Sequence, residues 1–253
     1  MSNGIYTALS GAIAQERNLD VVANNVANVN TTGFRADRVS FQQILAPENP
    51  LQEVVDPLSY VSIAEVQVDN SPGSMRQTGN PLDAALMGDG FFSVMTPRGE
   101  RFTRAGAFTT NSEGQIVTPA GDIVQKVGDE NAVADEMGIR IPSTAEEIAI
   151  ATDGTVQVDG ETVGRLRVVS FTDPAVLQKE GVTLYTSPEE PAQDVQPGEI
   201  TVVQGHLETA NFNAVGGMTE LISASRSFDI FQKTIDTFRR LDERAARDIA
   251  SRG

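Results

Sequence analysis

The chain has 253 residues, with 19 Lys+Arg against 35 Asp+Glu and a formal net charge of −16. That balance excludes a nucleic-acid partner, because binding phosphates needs a basic face. Cysteine is absent, which excludes disulfides and thiol chemistry, and no apolar run approaches the roughly 20 residues that span a bilayer, so direct membrane insertion is not expected.

The first element predicted is a helix from about Ile5 to Asn30. Ile5, Ala12, Leu19 and Val26 share one heptad position, and Ala8, Gln15, Val22 and Val29 share the position three later. This is a coiled-coil-like seam with one polar lapse at Gln15. At a rise of about 1.5 Å per residue the helix would run roughly 40 Å. Gly33, after Thr31 and Thr32, supplies a residue able to take the left-handed conformation that ends many helices. The opening "MSNGIYTALSGAIAQERNLD" has no basic stretch followed by a pure apolar core, so a cleaved signal peptide is not expected.

The helix is unusual in placing Asn24, Asn25, Asn28 and Asn30 close together. Asparagine is a mediocre helix former, because its amide competes for nearby backbone hydrogen bonds. The bland explanation is a solvated polar face ending in an Asn-rich cap. The sharper one is a polar ladder at a helix–helix contact, where a buried Asn costs stability and fixes register.

Residues 35–80 form an extended connector with one or two strands, marked by Pro47, Pro50, Pro57 and Pro72. From there to about residue 212 the pattern is β-rich. "FFSVMTP", "IVTPAGDIVQ", "TVQV" and "GRLRVVSF" are short strand-like runs, separated by the turn sequences "MGDG", "NSEG", "PAGD", "TDG" and "VDGE". Residues 81–200 hold 8 Lys+Arg and 20 Asp+Glu, so the middle carries most of the negative charge.

A second helix is expected from near Asn213 almost to the end. Leu221, Phe228, Ile235 and Ile249 share a heptad position interrupted by Asp242, and Ala224, Phe231, Phe238 and Ala245 fill its companion. Arg239, Arg240, Arg244 and Arg247 load the last turns, where positive charge suits the helix dipole. Gly216-Gly217 puts the start of this helix in question, since each Gly costs about 1 kcal/mol relative to Ala inside one. Neither helix buries its stripe alone. The simplest solutions pair the two termini with each other or with the same helices of neighbouring subunits.

The fold class expected is therefore α+β. Terminal helices, residues 1–34 and 213–253, form a coiled-coil-like inner domain, and a Gly-rich all-β domain at 81–212 is inserted between them. Chemistry is hard to place on this chain. His206 is the only imidazole, and the sequence has no nucleophile elbow and no Gly-rich phosphate loop. Asp83 and Asp89 are spaced like turn residues more than like a glycosidase pair. "TDGTVQVDGE" lacks the closing Glu of a calcium loop and reads as a hairpin. No catalytic residue, cofactor or metal is expected.

"ANNVANVNTTGFR" resembles the N-terminal signature of the flagellar axial proteins. "TGNPLDAALMGDGFFSV", "RFTRAGAFTTNSEGQIVTPAGDIV", "GRLRVVSF" and "GHLETANFNAV…LISASRSFDIFQKTI" look, in order, like the middle and C-terminal signatures of the flagellar basal-body rod proteins. "YTALSG", "TGNPLD" and "LDERAARDI" are closer to the proximal-rod branch of that family than to the distal-rod branch.

The resemblance implies a non-enzymatic structural subunit, exported by the flagellar type III apparatus and assembled helically within the periplasm to transmit torque. Its partners would be copies of itself, other proximal and distal rod subunits, and the export apparatus. It also implies termini that stay flexible before assembly. The subunit interface would then take in Leu19, Val22, Asn24, Asn25, Val26, Asn28 and Phe34, with Leu221, Phe228, Phe231, Ile235 and Phe238. The alternative from another class is a secreted β-rich binding module or carbohydrate-active enzyme, dimerised by its helices.

Overall fold

The computed structural model describes residues 2–45, 59–128, 138–188, 191–196 and 198–250. The architecture is α+β, with a helix at each end of the chain and β structure between them. It divides into two compact units. A helical unit comprises residues 1–27, 37–67 and 212–253, and a β unit comprises residues 28–36 and 68–211.

The helical unit holds α1 (Ser2–Ala27) and α2 (Ala214–Ala250), with strands β1 (Asp37–Leu45) and β2 (Ser59–Val68) paired as a two-stranded sheet. The connector expected at 35–80 is thus divided. Residues 37–67 go with the helices and 68–80 with the β unit. Pro47, Pro50 and Pro57 lie outside the described residues.

α1 ends at Ala27 and not at Asn30. The Thr31 N–H donates to the Asn28 carbonyl at 3.0 Å, so the asparagines that follow the helix make a turn, and Val29 leaves the heptad. Gly33 has φ +67°, but it is six residues past the helix and serves the β unit instead of capping α1. A side chain there would overlap the Ala105 backbone.

α2 begins at Ala214, ahead of the glycine pair. Asn213 caps it, its Oδ1 accepting the Gly216 N–H at 2.9 Å. Gly217 is buried, and a Cβ there would overlap the Phe212 ring. The glycine lowers helix propensity and admits this close contact.

The β unit contains β3 (Met75–Gln77), β4 (Ala84–Met87), β5 (Phe91–Thr96), β6 (Gly99–Thr103), β7 (Thr109–Thr110), β8 (Ile116–Val117) and β9 (Ile123–Val124). It continues with β10 (Ile148–Ile150), β11 (Thr155–Val158), β12 (Glu161–Arg165) and β13 (Val168–Ser170). The last strands are β14 (Gln178–Glu180), β15 (Leu184–Thr186), β16 (Gln193–Asp194), β17 (Thr201–Gln204) and β18 (His206–Glu208).

Nine of these make one sheet, in the order β14-β15-β6-β5-β9-β8-β7, with β13 joining β5 to β16. β10, β11 and β12 form a three-stranded sheet, and β17 pairs with β4 and β18 with β3. β11 and β12 are joined through Asp159 (φ 52°) and Gly160 (φ 85°), the two left-handed residues that a tight hairpin turn needs.

Alternation along β5 builds two cores from one strand. Phe92 and Val94 join Phe108, Ile116, Val124, Ile139, Val156 and Leu166 in the larger core. Phe91 turns the other way, to Phe102, Phe171 and Tyr185. Edge-to-face ring pairs hold both cores, Phe92–Phe108 at 5.1 Å and Phe102–Phe171 at 5.0 Å.

Candidate functional site: the helix pair and a buried Arg–Glu knot

In the helical unit α1 and α2 pack on each other, and small residues set their spacing. A Cβ at Gly4 would lie 2.9 Å from the Phe238 ring and one at Gly11 2.5 Å from the Phe231 ring. Near the far end of α1, Val26 borders Gly217. As the α1 number rises the α2 number falls, so the helices run antiparallel. Of the heptad stripe, Val26, Phe231 and Phe238 are placed in this contact. Ala8, Ala12, Val22 and Ala224 are buried, while Leu19, Val26, Leu221, Phe228, Phe231, Ile235 and Phe238 are half-buried. The side chains of Ala245 and Ile249 lie outside the described residues.

The pairing leaves apolar surface over. Tyr6 (56% exposed), Leu9 and Ile13 (54%) occupy successive turns of α1 away from the seam. Val215, Met218 and Ile222 do the same at the start of α2, and Ile230 and Leu241 further along it. Large apolar side chains repeated at helical spacing in solvent mark a surface that expects a partner.

The asparagines divide. Asn25 is buried and binds Asp37 twice, its Nδ2 donating to the carbonyl at 2.8 Å and its Oδ1 accepting the N–H at 2.9 Å. It thereby fixes the first residue of β1 to the last turns of α1. Asn24 and Asn30 are exposed, and Asn28 is half-buried in the turn with Thr31. Phe34 is fully buried in the β unit, with the Lys179 ammonium 4.2 Å from its ring centroid. Val22, Asn25 and Phe34 are therefore occupied within the chain and offer a neighbour almost no surface.

Sequence reasoning passed over the most heavily buried charges, all in the β unit. Arg35, Arg104 and Glu208 are 2%, 4% and 3% exposed. Arg35 Nη1 is 2.7 Å from Glu208 Oε1, and Arg104 Nη1 is 3.5 Å from Glu208 Oε2. Arg35 also donates to the Ser71 carbonyl, and Glu208 accepts the Gly73 N–H at 2.8 Å. Arg104 donates to the Gly88 carbonyl at 2.6 Å and lies over the Phe91 ring. Burial lowers its pKa to about 10, with Arg35 adding to the fall and Glu208 opposing it.

Asn211 completes the knot. Its Oδ1 accepts the Ala36 N–H at 2.8 Å, and its Nδ2 donates to the carbonyls of Asp69 and Ser71 at 2.7 and 2.9 Å. One signal was available. Arg35, Arg104, Glu208 and Asn211 all stand within the quoted signature stretches, as positions of specific polarity in an otherwise glycine- and alanine-rich text.

The residues weighed for chemistry have structural occupations. Asp83 accepts from the Thr78 hydroxyl at 2.5 Å and the Asn80 amide at 2.9 Å, closing the turn before β4. Asp153 takes the Thr155 N–H and hydroxyl, and that N–H bond holds its carboxyl below the ordinary aspartate range. His206 Nδ1 sits 2.9 Å from the Gln204 carbonyl. Among the described residues no group of three or more His, Cys, Asp or Glu side chains is placed to hold a metal, and no helix is long and apolar enough to cross a membrane.

Three family models match the chain. Residues 5–35 match "Flagella basal body rod protein", residues 85–158 "Flagellar hook protein FlgE/F/G D1 domain" and residues 203–248 "Flagellar basal body rod FlgEFG protein C-terminal". The chain belongs to the flagellar basal-body rod protein family, a family of structural subunits and not of enzymes.

Among its relatives is the flagellar basal-body rod protein FlgF of Rhizobium meliloti, 34% identical over 90% of each chain. The FlgG of Caulobacter vibrioides is 34% identical over 92% of this chain and 94% of its own. The FlgF of the same organism is 33% identical over 97% of both. Arg35, Arg104 and Glu208 each fall within a matched segment, and so do most of α1 and most of α2.

Proposed function

We propose that the chain is a self-assembling subunit of the flagellar rod. It polymerises through its terminal helices, which form a coiled-coil-like seam, and carries torque across the periplasm after export without a cleaved signal by the type III apparatus. The observation that carries this reading is the apolar surface left over when α1 and α2 have paired, Tyr6, Leu9 and Ile13 on one helix and Met218, Ile222 and Ile230 on the other. A monomer gains nothing from these side chains, whereas a neighbour would bury them at roughly 25 cal/mol per Å².

The test is a double substitution, Ile13→Glu with Met218→Glu, in a strain lacking its own copy. Both residues point away from the helix seam, so folding is expected to be retained. Incorporation into purified basal bodies is expected to be lost. Normal incorporation and motility would overturn the reading.

Within the rod we place the chain in the proximal segment, on the strength of "YTALSG", "TGNPLD" and "LDERAARDI". A distal position is the second reading, favoured by the similarity to FlgG at 34% identity. Counting this chain against a rod neighbour of known copy number, by quantitative mass spectrometry of basal bodies, separates them. A handful of copies means proximal and a few tens distal.

A further inference from the structure

The β unit holds a cleft that the helix pair does not use. Two turns line it, residues 119–122 between β8 and β9 and residues 181–183 between β14 and β15. Each contains a left-handed glycine, Gly121 (φ 93°) and Gly181 (φ 76°). Thr31 and Thr32, from the segment that follows α1, and the chain at the end of β6 complete the lining. Its volume is about 330 Å³, at the lower end of the roughly 300–1,000 Å³ of ligand pockets. Ala105, Ala107, Ala120 and Leu184 make its apolar wall, and among the described residues no aromatic ring lines it. Small side chains suit such a wall better than a flat ring does.

The cleft carries both signs of charge, unevenly placed. Glu180 is bound by two guanidinium groups, Arg101 and, at 2.6 Å, Arg98, so one positive charge is in excess beside it. Arg98 is the open one of the two, 67% exposed against 15%. Asp122 brings a negative charge on the other turn. Its carboxylate accepts the Thr118 hydroxyl at 3.3 Å within that turn, and among the described residues it has no ion pair. The hydroxyls of Thr32 and Thr183, also in the lining, make no hydrogen bond among the described residues.

We propose that this cleft binds a short peptide of small residues with both ends free, its ammonium on Asp122 and its carboxylate on Arg98. A ligand with positive charge alone would meet the excess cation beside Glu180, and one with negative charge alone would meet Asp122. A zwitterion has both its charges answered. Arg98 presents a planar fork to a carboxylate, and its bond to Glu180 uses one end of that fork. The peptide group between the ends needs a donor and an acceptor, and the Thr32 and Thr183 hydroxyls can each be either. Alanine-sized side chains would then fill the wall without overpacking it. This is a binding role apart from assembly, carried by the β unit.

The test is a titration of the isotope-labelled full-length chain with the dipeptide L-alanyl-L-alanine, followed by amide NMR shifts. Saturable shifts are expected at Ala105, Ala107, Ala120, Val182 and Leu184, with half-saturation in the millimolar range. N-acetyl-alanyl-alanine methylamide has the same side chains and neither charge, and is expected to bind roughly tenfold more weakly, the worth of two exposed ion pairs. R98Q and D122N each remove one charge and are each expected to weaken the free dipeptide about threefold. An unchanged spectrum away from the cleft guards against a folding defect, and the blocked peptide decides on the wild-type chain if a variant fails to fold. Absence of saturable shifts at the cleft, equal binding of the blocked peptide, or wild-type affinity in either variant overturns the proposal. Each of these leaves the assembly reading standing, because that reading rests on the helices.

Discussion

The ring of Phe231 rests on the bare α-carbon of Gly11, leaving no room for even a methyl group between the helices. Gly4 and Phe238 repeat the contact seven residues away on each helix, so the spacing of α1 and α2 is set twice. Gly11→Val is expected to cost about 1–3 kcal/mol, the usual penalty of overpacking. Phe231→Ala in the same chain is expected to recover part of it. Urea unfolding followed by helical circular dichroism measures both, and equal stability of wild type and Gly11→Val would refute the account of the seam.

Asn25→Ala removes the partner of both the N–H and the carbonyl of Asp37. Leaving such groups unsatisfied costs about 1–3 kcal/mol. Asn25→Asp is expected to fare no better, since it keeps the acceptor, loses the donor and buries a charge. Hydrogen exchange of the Asp37 amide should accelerate in both variants. Unchanged protection would show that β1 is held by other means.

Glu208→Gln takes from buried Arg35 and Arg104 the carboxylate they share, a change expected to destabilise the β unit by about 3–5 kcal/mol. Replacing Arg35, Arg104 and Glu208 together with methionine is expected to recover most of that loss, because well-packed apolar groups carry no desolvation cost. Chemical unfolding of the two full-length variants gives the comparison. A triple variant weaker than Glu208→Gln would contradict it.

Glu180 on β14 is bound by Arg101 and by Arg98, which lies 2.6 Å from it. The hydrogen bond from Arg101, ahead of the charges of Arg101 and Arg98, holds its carboxyl below the ordinary glutamate range. The sign follows directly. A folded pKa below the unfolded one gives stability that is full above the unfolded pKa and is lost as pH falls through the folded value. Amide exchange in β14 is therefore expected to accelerate only in acid below the usual glutamate range. Arg101→Met should move that onset upward, and an onset unmoved by it would separate Glu180 from Arg101.

Much of the architecture was legible because it rests on local periodicity. The heptads marked both helices, and "VDGE" marked the β11–β12 turn through the one chemistry that favours two consecutive left-handed residues. α1 ends three residues before the heptad predicts, because Asn28 and Val29 fit the heptad as well as they fit a turn, and the Thr31–Asn28 bond decides between them. The sequence puts Phe34 with the helix it follows and Arg35 at the start of the connector. Their destination, under Lys179 and against Glu208, depends on pairings more than 140 residues apart, which no local pattern reports. Both explanations of the Asn stretch treat it as one device, yet its members do different things. Asn25 grips a backbone, Asn28 makes a turn, and Asn24 faces solvent.

The knot of Arg35, Glu208 and Asn211 has a mechanical consequence. Every segment by which the chain passes into or out of the β unit beyond α1 ends there, at Ala36, at Asp69 and at Asn211. A pull along any one of these segments is handed to the other two through short polar bonds, before it loads the nine-stranded sheet. The loops and outer strands of that sheet take no part in these bonds, so a change of length or surface there leaves the three junctions fastened to one another.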